Sequence, residues 1–473
     1  MRYRSRILIA LLTSTLILFS SVPLVSFASE VTIRDWLAEV SKPYRGITIR
    51  WITESTPPSL FIRDVLAPEF EKITGIKVEV EATSWDEMYR KSIADMEAKT
   101  GIYDLVYVEQ DIIAFYAKKG YLTDIRTFPK KLWYPGYDMW DIFSLKYYVV
   151  DDKILAVPFE TFIKAYAYRK DLFNDPKERA AFKAKYGWEL RPPKTWEEYK
   201  QIAEFFYRPK ENLYGHVAQA ATHPCLFYEV VAETILPTFG VHYWGITLKR
   251  RASVEEGGSL NSPAAVAALT MYIDLLKYAP PGVKTYTWDE VGAAWCAGII
   301  AQGLVYGDQL AKVINPKLSK VAGKIDIALP PVEPKYYKGG YVGYMDMGGF
   351  GIPASSKHKE AAWLFIQWVT CKENAARMMK ELGTSCIRRS LLFSPLADEI
   401  DKKYGFHYFE VMRKGVEFGL FEGAPPIPEH MIIVDMGYKI LAKAIAGKMT
   451  PKECLDELAH AIDAKFKELG YTN

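Results

Sequence analysis

Three consecutive polar side chains, Glu109-Gln110-Asp111, follow directly on the apolar run Leu105-Val106-Tyr107-Val108. Acceptors at the exit of a strand are well placed to meet a ligand, because open α/β sheets bind outside the carboxyl ends of their strands. The same step from strand to polar loop recurs at Glu54-Ser55, at Ser84-Trp85, and at Tyr306 with Asp308 and Gln309. These groups can bind, but the spacings that would make them catalysts are missing. The seven histidines (216, 223, 242, 358, 407, 430 and 460) form no HExxH or other zinc spacing. There is no GxSxG nucleophile elbow, and Gly447-Lys448 lacks the upstream glycine of a phosphate loop. The five cysteines (225, 296, 371, 386 and 454) include no CxxC pair; Cys371 and Cys386 can either close a short loop or stay as buried thiols. No metal or cofactor is implied. Scattered carboxylates can still meet in space as a glycosidase pair, so a secreted carbohydrate-active enzyme, a glycosidase or lyase, stays open as the alternative at this point.

The elements that carry these loops read as alternating strands and helices. Residues 47–52 form an apolar strand, and Glu54-Ser55-Thr56-Pro57-Pro58 opens a helix, since proline is favoured in a first turn. Gly75 ends that helix as a left-handed cap. Ile76, Val78 and Val80 then alternate with Lys77, Glu79 and Glu81, a half-exposed strand, and the run into Val108 is a third. This βαβαβ order predicts a mostly parallel sheet flanked by helices. Thr195-Trp196-Glu197-Glu198 and Thr450-Pro451-Lys452-Glu453 are capping boxes. Ser262-Pro263 opens a helix with a predicted stripe of Val266, Leu269, Ile273 and Leu276, and the last helix carries Leu455, Leu458, Ile462, Phe466 and Leu469.

Composition excludes whole classes of function. With 60 basic and 57 acidic residues in 473, the chain has no basic field of the kind nucleic acid requires. Arg2, Arg4 and Arg6 precede an apolar stretch over 7–19, and Ser26-Phe27-Ala28 offers a cleavage site, so 1–28 reads as an export signal, with an uncleaved anchor as the other reading. No cysteine precedes Cys225, so no N-terminal lipid attachment is expected, and the destination is the periplasm or the outer cell surface.

Seven local marks occur in order along 46–470. They include Leu66-Ala67-Pro68-Glu69-Phe70-Glu71-Lys72-Ile73-Thr74-Gly75, Tyr103-Asp104-Leu105-Val106, and Lys119-Gly120-Tyr121-Leu122-Thr123-Asp124-Ile125. Ala156-Val157-Pro158-Phe159-Glu160-Thr161 with Tyr168-Arg169-Lys170-Asp171-Leu172-Phe173, Pro193-Lys194-Thr195-Trp196-Glu197-Glu198, and Gly349-Phe350-Gly351-Ile352-Pro353-Ala354 with Glu360-Ala361-Ala362 continue the series. In this the chain resembles the family 1 extracellular solute-binding proteins of ABC importers, the maltose-binding-protein-like, sugar-type group. It departs from the family pattern at Cys386-Ile387-Arg388-Arg389-Ser390, where many members have a Pro-x-Arg loop, and in lacking their lipid-attachment cysteine.

The resemblance implies a two-lobed periplasmic-binding-protein fold of α/β class, each lobe a mostly parallel sheet flanked by helices, joined by a multi-crossing hinge. After a lead-in over 29–45, it puts lobe one at 46–157 with 287–342 and lobe two at 158–286 with 343–473. It also implies a monomer without chemistry of its own, which captures a sugar or related polyhydroxylated solute and hands it to the membrane permease subunits of an ABC transporter. The same fold with a phosphodiester, polyol, nucleoside or peptide ligand is the second alternative. Sugars need paired polar partners and aromatic platforms. The positions matching the family's cleft are Glu54, Ser55, Trp85, Glu109, Gln110, Asp111, Glu160, Thr161, Tyr306 and Asp308, with His223, Tyr228, Gly348, Gly349, Arg388 and Asp435 from lobe two. Each has a plainer reading as well: Glu109-Gln110-Asp111 fits a helix N-cap, Gly348-Gly349 a hinge or bulge, and Arg388 and Arg389 a solvated surface. Trp295 falls on a helical stripe with Val291 and is expected in the core, as is Trp244.

Overall fold

The computed structural model describes residues 31–339, 344–418 and 427–471, so the predicted export signal lies outside the described residues. The lead-in forms a helix, Ile33–Val40, capped by Thr32, with Ile33 and Leu37 buried. Strands β1 (Thr48–Glu54), β2 (Lys77–Thr83) and β3 (Leu105–Glu109) pair in parallel as their spacing predicts, β1 lying between the other two. The β1–β2 crossover begins at Thr56, whose hydroxyl accepts from the Ser59 amide. It passes through a π-helical turn at Ile62–Leu66 and stops at Gly75, whose φ of 72° only glycine adopts without cost. Ser84 caps the next helix, Trp85–Ala98, so Trp85 sits on its first turn at the exit of β2.

A short hairpin of β4 (Val149–Val150) and β5 (Lys153–Ile154) precedes β6, a strand of 14 residues spanning Ala156–Arg169. Its first half pairs antiparallel with β9 (Tyr344–Gly351), with a bulge between Pro158 and Glu160. Its second half pairs antiparallel with β7 (Gln302–Tyr306) and β8 (Ile325–Ala328). The main order is β2-β1-β3-β9-β6-β7, with β8 also on β6. The sheet is therefore mixed. Parallel pairing holds for β1, β2 and β3, whereas β9 returns antiparallel to both β3 and β6.

Strand pairing links segments far apart in the chain. Residues 302–306 and 325–328 lie on the second half of β6, while 344–351 is inserted between β3 and the first half of β6. The helices directly after β9 pack beside β1, β2 and β3: Trp368 Nε1 donates to the Leu66 carbonyl at 2.9 Å, and Arg377 pairs with Glu69 at 2.7 Å. The last helix instead meets residues 252–261, Asp463 accepting from the Ala252 amide at 2.7 Å and Asp456 from Asn261 at 2.9 Å.

Two helical stripes test periodicity against packing. Leu455, Leu458, Ile462 and Phe466 are buried on Pro451–Glu468 as predicted, and Leu469 is exposed because the helix ends before it. On Pro263–Leu275 the buried set is Ala265, Ala268, Leu269, Tyr272 and Leu275; the predicted Val266 and Ile273 are half-buried. That helix is apolar on most of its circumference, so its sequence leaves the inward face open. All five cysteines are free thiols, Cys371 and Cys386 included.

Candidate functional site

The ends of β1, β2 and β3 converge on one cavity of about 460 Å³. Glu54 is the last residue of β1 and Glu109 the last of β3. Trp85 Nε1 donates to both Glu109 carboxylate oxygens at 3.1 and 3.0 Å, and the Tyr89 hydroxyl donates to one of them at 2.9 Å. Asp111 follows, with Oδ2 at 3.2 Å from His430 Nε2, which is itself 2.8 Å from the Tyr228 hydroxyl.

The facing wall comes from Phe162 of β6, from the end of β7 and from a π-helical turn at Tyr228–Glu233. Its i→i+5 hydrogen-bonding brings residues five apart onto one side, so Tyr228 and Glu233 both reach the cavity. Glu233 accepts from the Tyr306 hydroxyl and from the Lys164 ammonium, at 2.7 Å. Lys164 is fully buried, also pairs with Glu229, and lies 4.4 Å from the Tyr306 ring centroid. Phe162, Thr56, Trp288, Asp308, Tyr344 and Asp346 complete the lining. The rings meet edge to face: Trp85 with Trp288 at 6.1 Å, Trp85 with Tyr228 at 6.4 Å, and Phe162 with Tyr306 at 6.4 Å. A mouth with Ser55, Ser84, Asp86, His223 and Asp289 opens outward past Glu54, Trp85, Trp288 and Asp308.

The thirteen lining residues are six carboxylates, six aromatics and Thr56. Burial pushes the carboxyls up. Glu54 and Glu109 are raised well above the usual range, by burial first and then by neighbouring acids. Asp346 is raised in the same way, with Glu233 and Asp111 as the pressing charges. Asp308 is pushed up to about 6, burial outweighing the pull of Lys312. Glu233 is raised by burial although Lys164 opposes it. For Lys164, burial disfavours the charge, but Glu229 and Glu233 outweigh it and hold the ammonium above its ordinary value. His430 is lowered by burial against the opposing charge of Asp111.

Of the residues singled out from the sequence, Glu54, Trp85, Glu109, Asp111, Tyr228, Tyr306 and Asp308 line the cavity, and Ser55 and His223 line its mouth. His223 Nε2 lies 3.1 Å from Asp86. Glu160 lies behind the wall, fully buried, accepting from Thr56 at 2.7 Å and Tyr107 at 2.6 Å. Gln110 is bonded to Tyr344 and to the Met347 amide, and the Thr161 hydroxyl to Ser144, both away from the cavity. Gly348 packs against Tyr107 and Glu160, and Gly349 against the Tyr148 ring.

Arg388 and Asp435 line neither the cavity nor its mouth. Arg388 is buried, its guanidinium taken up by the Thr370 and Asp138 carbonyls and by Asp141 at 3.2 Å, so it braces a loop. Asp435 is exposed and paired with Lys439 at 2.6 Å, one helical turn away. Thr56, Phe162, Glu233, Trp288, Tyr344 and Asp346 were not singled out. Trp288 had a signal: Thr287-Trp288 repeats the cap-then-indole pattern of Ser84-Trp85. Asp346 had another, as a lone carboxylate in an otherwise uncharged strand.

Residues 54–376 match the model of the bacterial extracellular solute-binding protein family. A probable amino-acid ABC transporter periplasmic-binding protein of Sinorhizobium fredii is 22% identical over 450 residues, 93% of this chain and 94% of that protein. A mannitol-binding protein of Pseudomonas aeruginosa is 25% identical over 390 residues, 80% and 83% of the two chains. Among solved structures, an ABC transporter solute-binding protein from Agrobacterium radiobacter K84 in complex with ribitol superposes with a TM-score of 0.76 at 26% identity, covering 89% of this chain and 99% of that one.

Proposed function

Because the chain belongs to the bacterial extracellular solute-binding protein family, we propose that its cavity captures a linear polyol or a small sugar outside the cytoplasm and presents it to the permease of an ABC importer. The observation that carries this reading is the cavity itself, in which six rings and six carboxylates at strand and helix ends surround about 460 Å³. That volume suits a small ligand, the rings offer C–H platforms, and the carboxyls offer paired acceptors for hydroxyls. The mannitol-binding relative and the ribitol complex favour a polyol over a long oligosaccharide. Strand pairing supports one lobe built on β1, β2, β3 and β9 and another built on the second half of β6 with β7 and β8. Ligand touching both walls would then favour closure, because a shift in population requires differential affinity. The chain is expected to act as a monomer without turnover of its ligand.

The test is a thermal-shift screen of ligand-free protein against polyols and small sugars. Ligand at about a hundred times its Kd adds about 2.7 kcal/mol of stability. Trp85→Ala should weaken the best ligand at least about tenfold, since a ring face and two hydrogen bonds to Glu109 vanish together. A screen in which no polyol or sugar shifts the melt would sink the reading. Shortened or unsaturated products after incubation would hand the case to an enzyme.

A further inference from the structure

A neutral polyol asks for a few well-placed acceptors, and this cavity holds more carboxyl groups than that. Six of its lining residues are carboxylates and none is Lys or Arg. Nearby cations are already committed: Lys164 to Glu229 and Glu233 behind the wall, and Lys312 to Asp289 at 3.6 Å on the rim. Asp111 lines the cavity, is only 2% exposed, and its Oδ1 has no hydrogen-bond partner among the described residues. A buried carboxylate oxygen left unmatched costs about 1–3 kcal/mol or more, so such a group calls for a donor from the ligand.

The arrangement also says what kind of donor. Among the described residues no three His, Cys, Asp or Glu side chains converge closely enough to hold a metal ion. The carboxylates are instead spread around Trp85, Trp288 and Tyr228, and aromatic rings attract a compact organic cation. Resting on the reading of this cavity as the solute site, we infer that the preferred solute is a polyhydroxylated amine, an amino-alditol or amino sugar whose ammonium sits beside Asp111. Glu109 and Asp346 lie close by: after burial, Asp111 and Asp346 press the Glu109 carboxyl upward, and Glu233 and Asp111 do the same to Asp346.

The experiment uses matched pairs that differ by one group, hydroxyl or ammonium: D-glucitol with 1-amino-1-deoxy-D-glucitol, D-glucose with 2-amino-2-deoxy-D-glucose, and glycerol with 3-amino-1,2-propanediol. Calorimetric titration at neutral pH and physiological salt reads the affinity of each. At least one amine should bind ten times or more tighter than its hydroxyl parent. Asp111→Asn should shrink that ratio several-fold, while the variant's unliganded melt shows that it remains folded. Preference for the hydroxyl member in every pair, or no binding by any amine, overturns the inference. The first outcome leaves the polyol reading standing. In the second, the neutral screen decides the polyol reading on its own. A ratio untouched by Asp111→Asn also overturns the placement of the ammonium.

Discussion

Replacing Glu160 with Gln separates a buried acid from a buried charge at the crossing of the two halves. Glu160 is fully buried on the bulge of β6, and its carboxyl accepts from Thr56 and Tyr107. Burial, only partly offset by those two donors, pushes it up to about 8. An unfolded glutamate titrates near ~4.3. Between those values the folded chain holds a proton that the unfolded chain has lost, so stability falls as pH rises, by about 1.4 kcal/mol per unit. The full loss is about 5 kcal/mol once pH passes the folded value, and relaxation around the charge brings the expected figure to about 2–5 kcal/mol. Glu160→Gln keeps the shape, offers one acceptor and one donor to the two hydroxyls, and carries no charge at any pH. At pH 5, where Glu160 is protonated in the folded chain, the variant should match the parent to within about 1 kcal/mol. At pH 9 it should be the more stable by about 2–5 kcal/mol. Urea unfolding of both proteins without ligand, at pH 5, 7 and 9, reads the difference directly. Titrating groups that do not interact with Glu160 cancel between the two proteins, while Glu54 and Asp346, which Glu160 raises, add to its effect. A difference that stays constant within about 0.5 kcal/mol over that range would refute the claim that the crossing holds a neutral acid.

Three other substitutions probe the frame around the cavity. Lys164→Met leaves Glu229 and Glu233 buried without their cation and should cost about 3–5 kcal/mol in urea unfolding at pH 7.5, with much of the loss recovered by adding Glu229→Gln and Glu233→Gln. Trp295→Ala opens a hole at a fully buried side chain and should lower unliganded stability by about 3–5 kcal/mol, while calorimetric affinity for the best ligand stays near the parent's at a temperature where the variant is folded. Gly348→Ala drives a methyl into the Tyr107 ring and the Glu160 carboxyl and should cost about 1–3 kcal/mol; an unchanged unfolding midpoint would mean that β9 can draw away from that pair.

Positions fixed by local geometry could be read from the chain. Glu54, Trp85, Glu109 and Asp111 each leave a strand of a parallel unit, where the physics of open sheets places ligands, and all four line the cavity. Tyr306 ends β7, Asp308 follows it, and both were found by the same logic. Glu233 had no such handle, because it reaches the wall only through a π-helical turn, which no periodicity announces. The burial of Arg388 was not legible, because nothing in a linear chain tells a guanidinium facing solvent from one satisfied by the Thr370 and Asp138 carbonyls. Long-range strand order is equally hidden in a linear chain. Which long-range strand enters between β3 and β6 is decided by pairing across the chain, and β9 makes both pairings.

That insertion fixes the order in which the molecule can be assembled. Ala156 stands opposite Gly351 in the ladder, so until the chain has been made through Gly351, both β3 and the first half of β6 present open edges. Open edges with buried, apolar flanks are templates for pairing with other chains. Pairings between residues so distant in sequence also form slowly, since the loop must close before any contact repays it. A nascent chain therefore cannot complete its first sheet as a finished N-terminal unit, and must stay unaggregated until most of its length is available. A fragment ending before Tyr344 should accumulate as aggregate, although it contains every residue of β1, β2, β3, β6, β7 and β8.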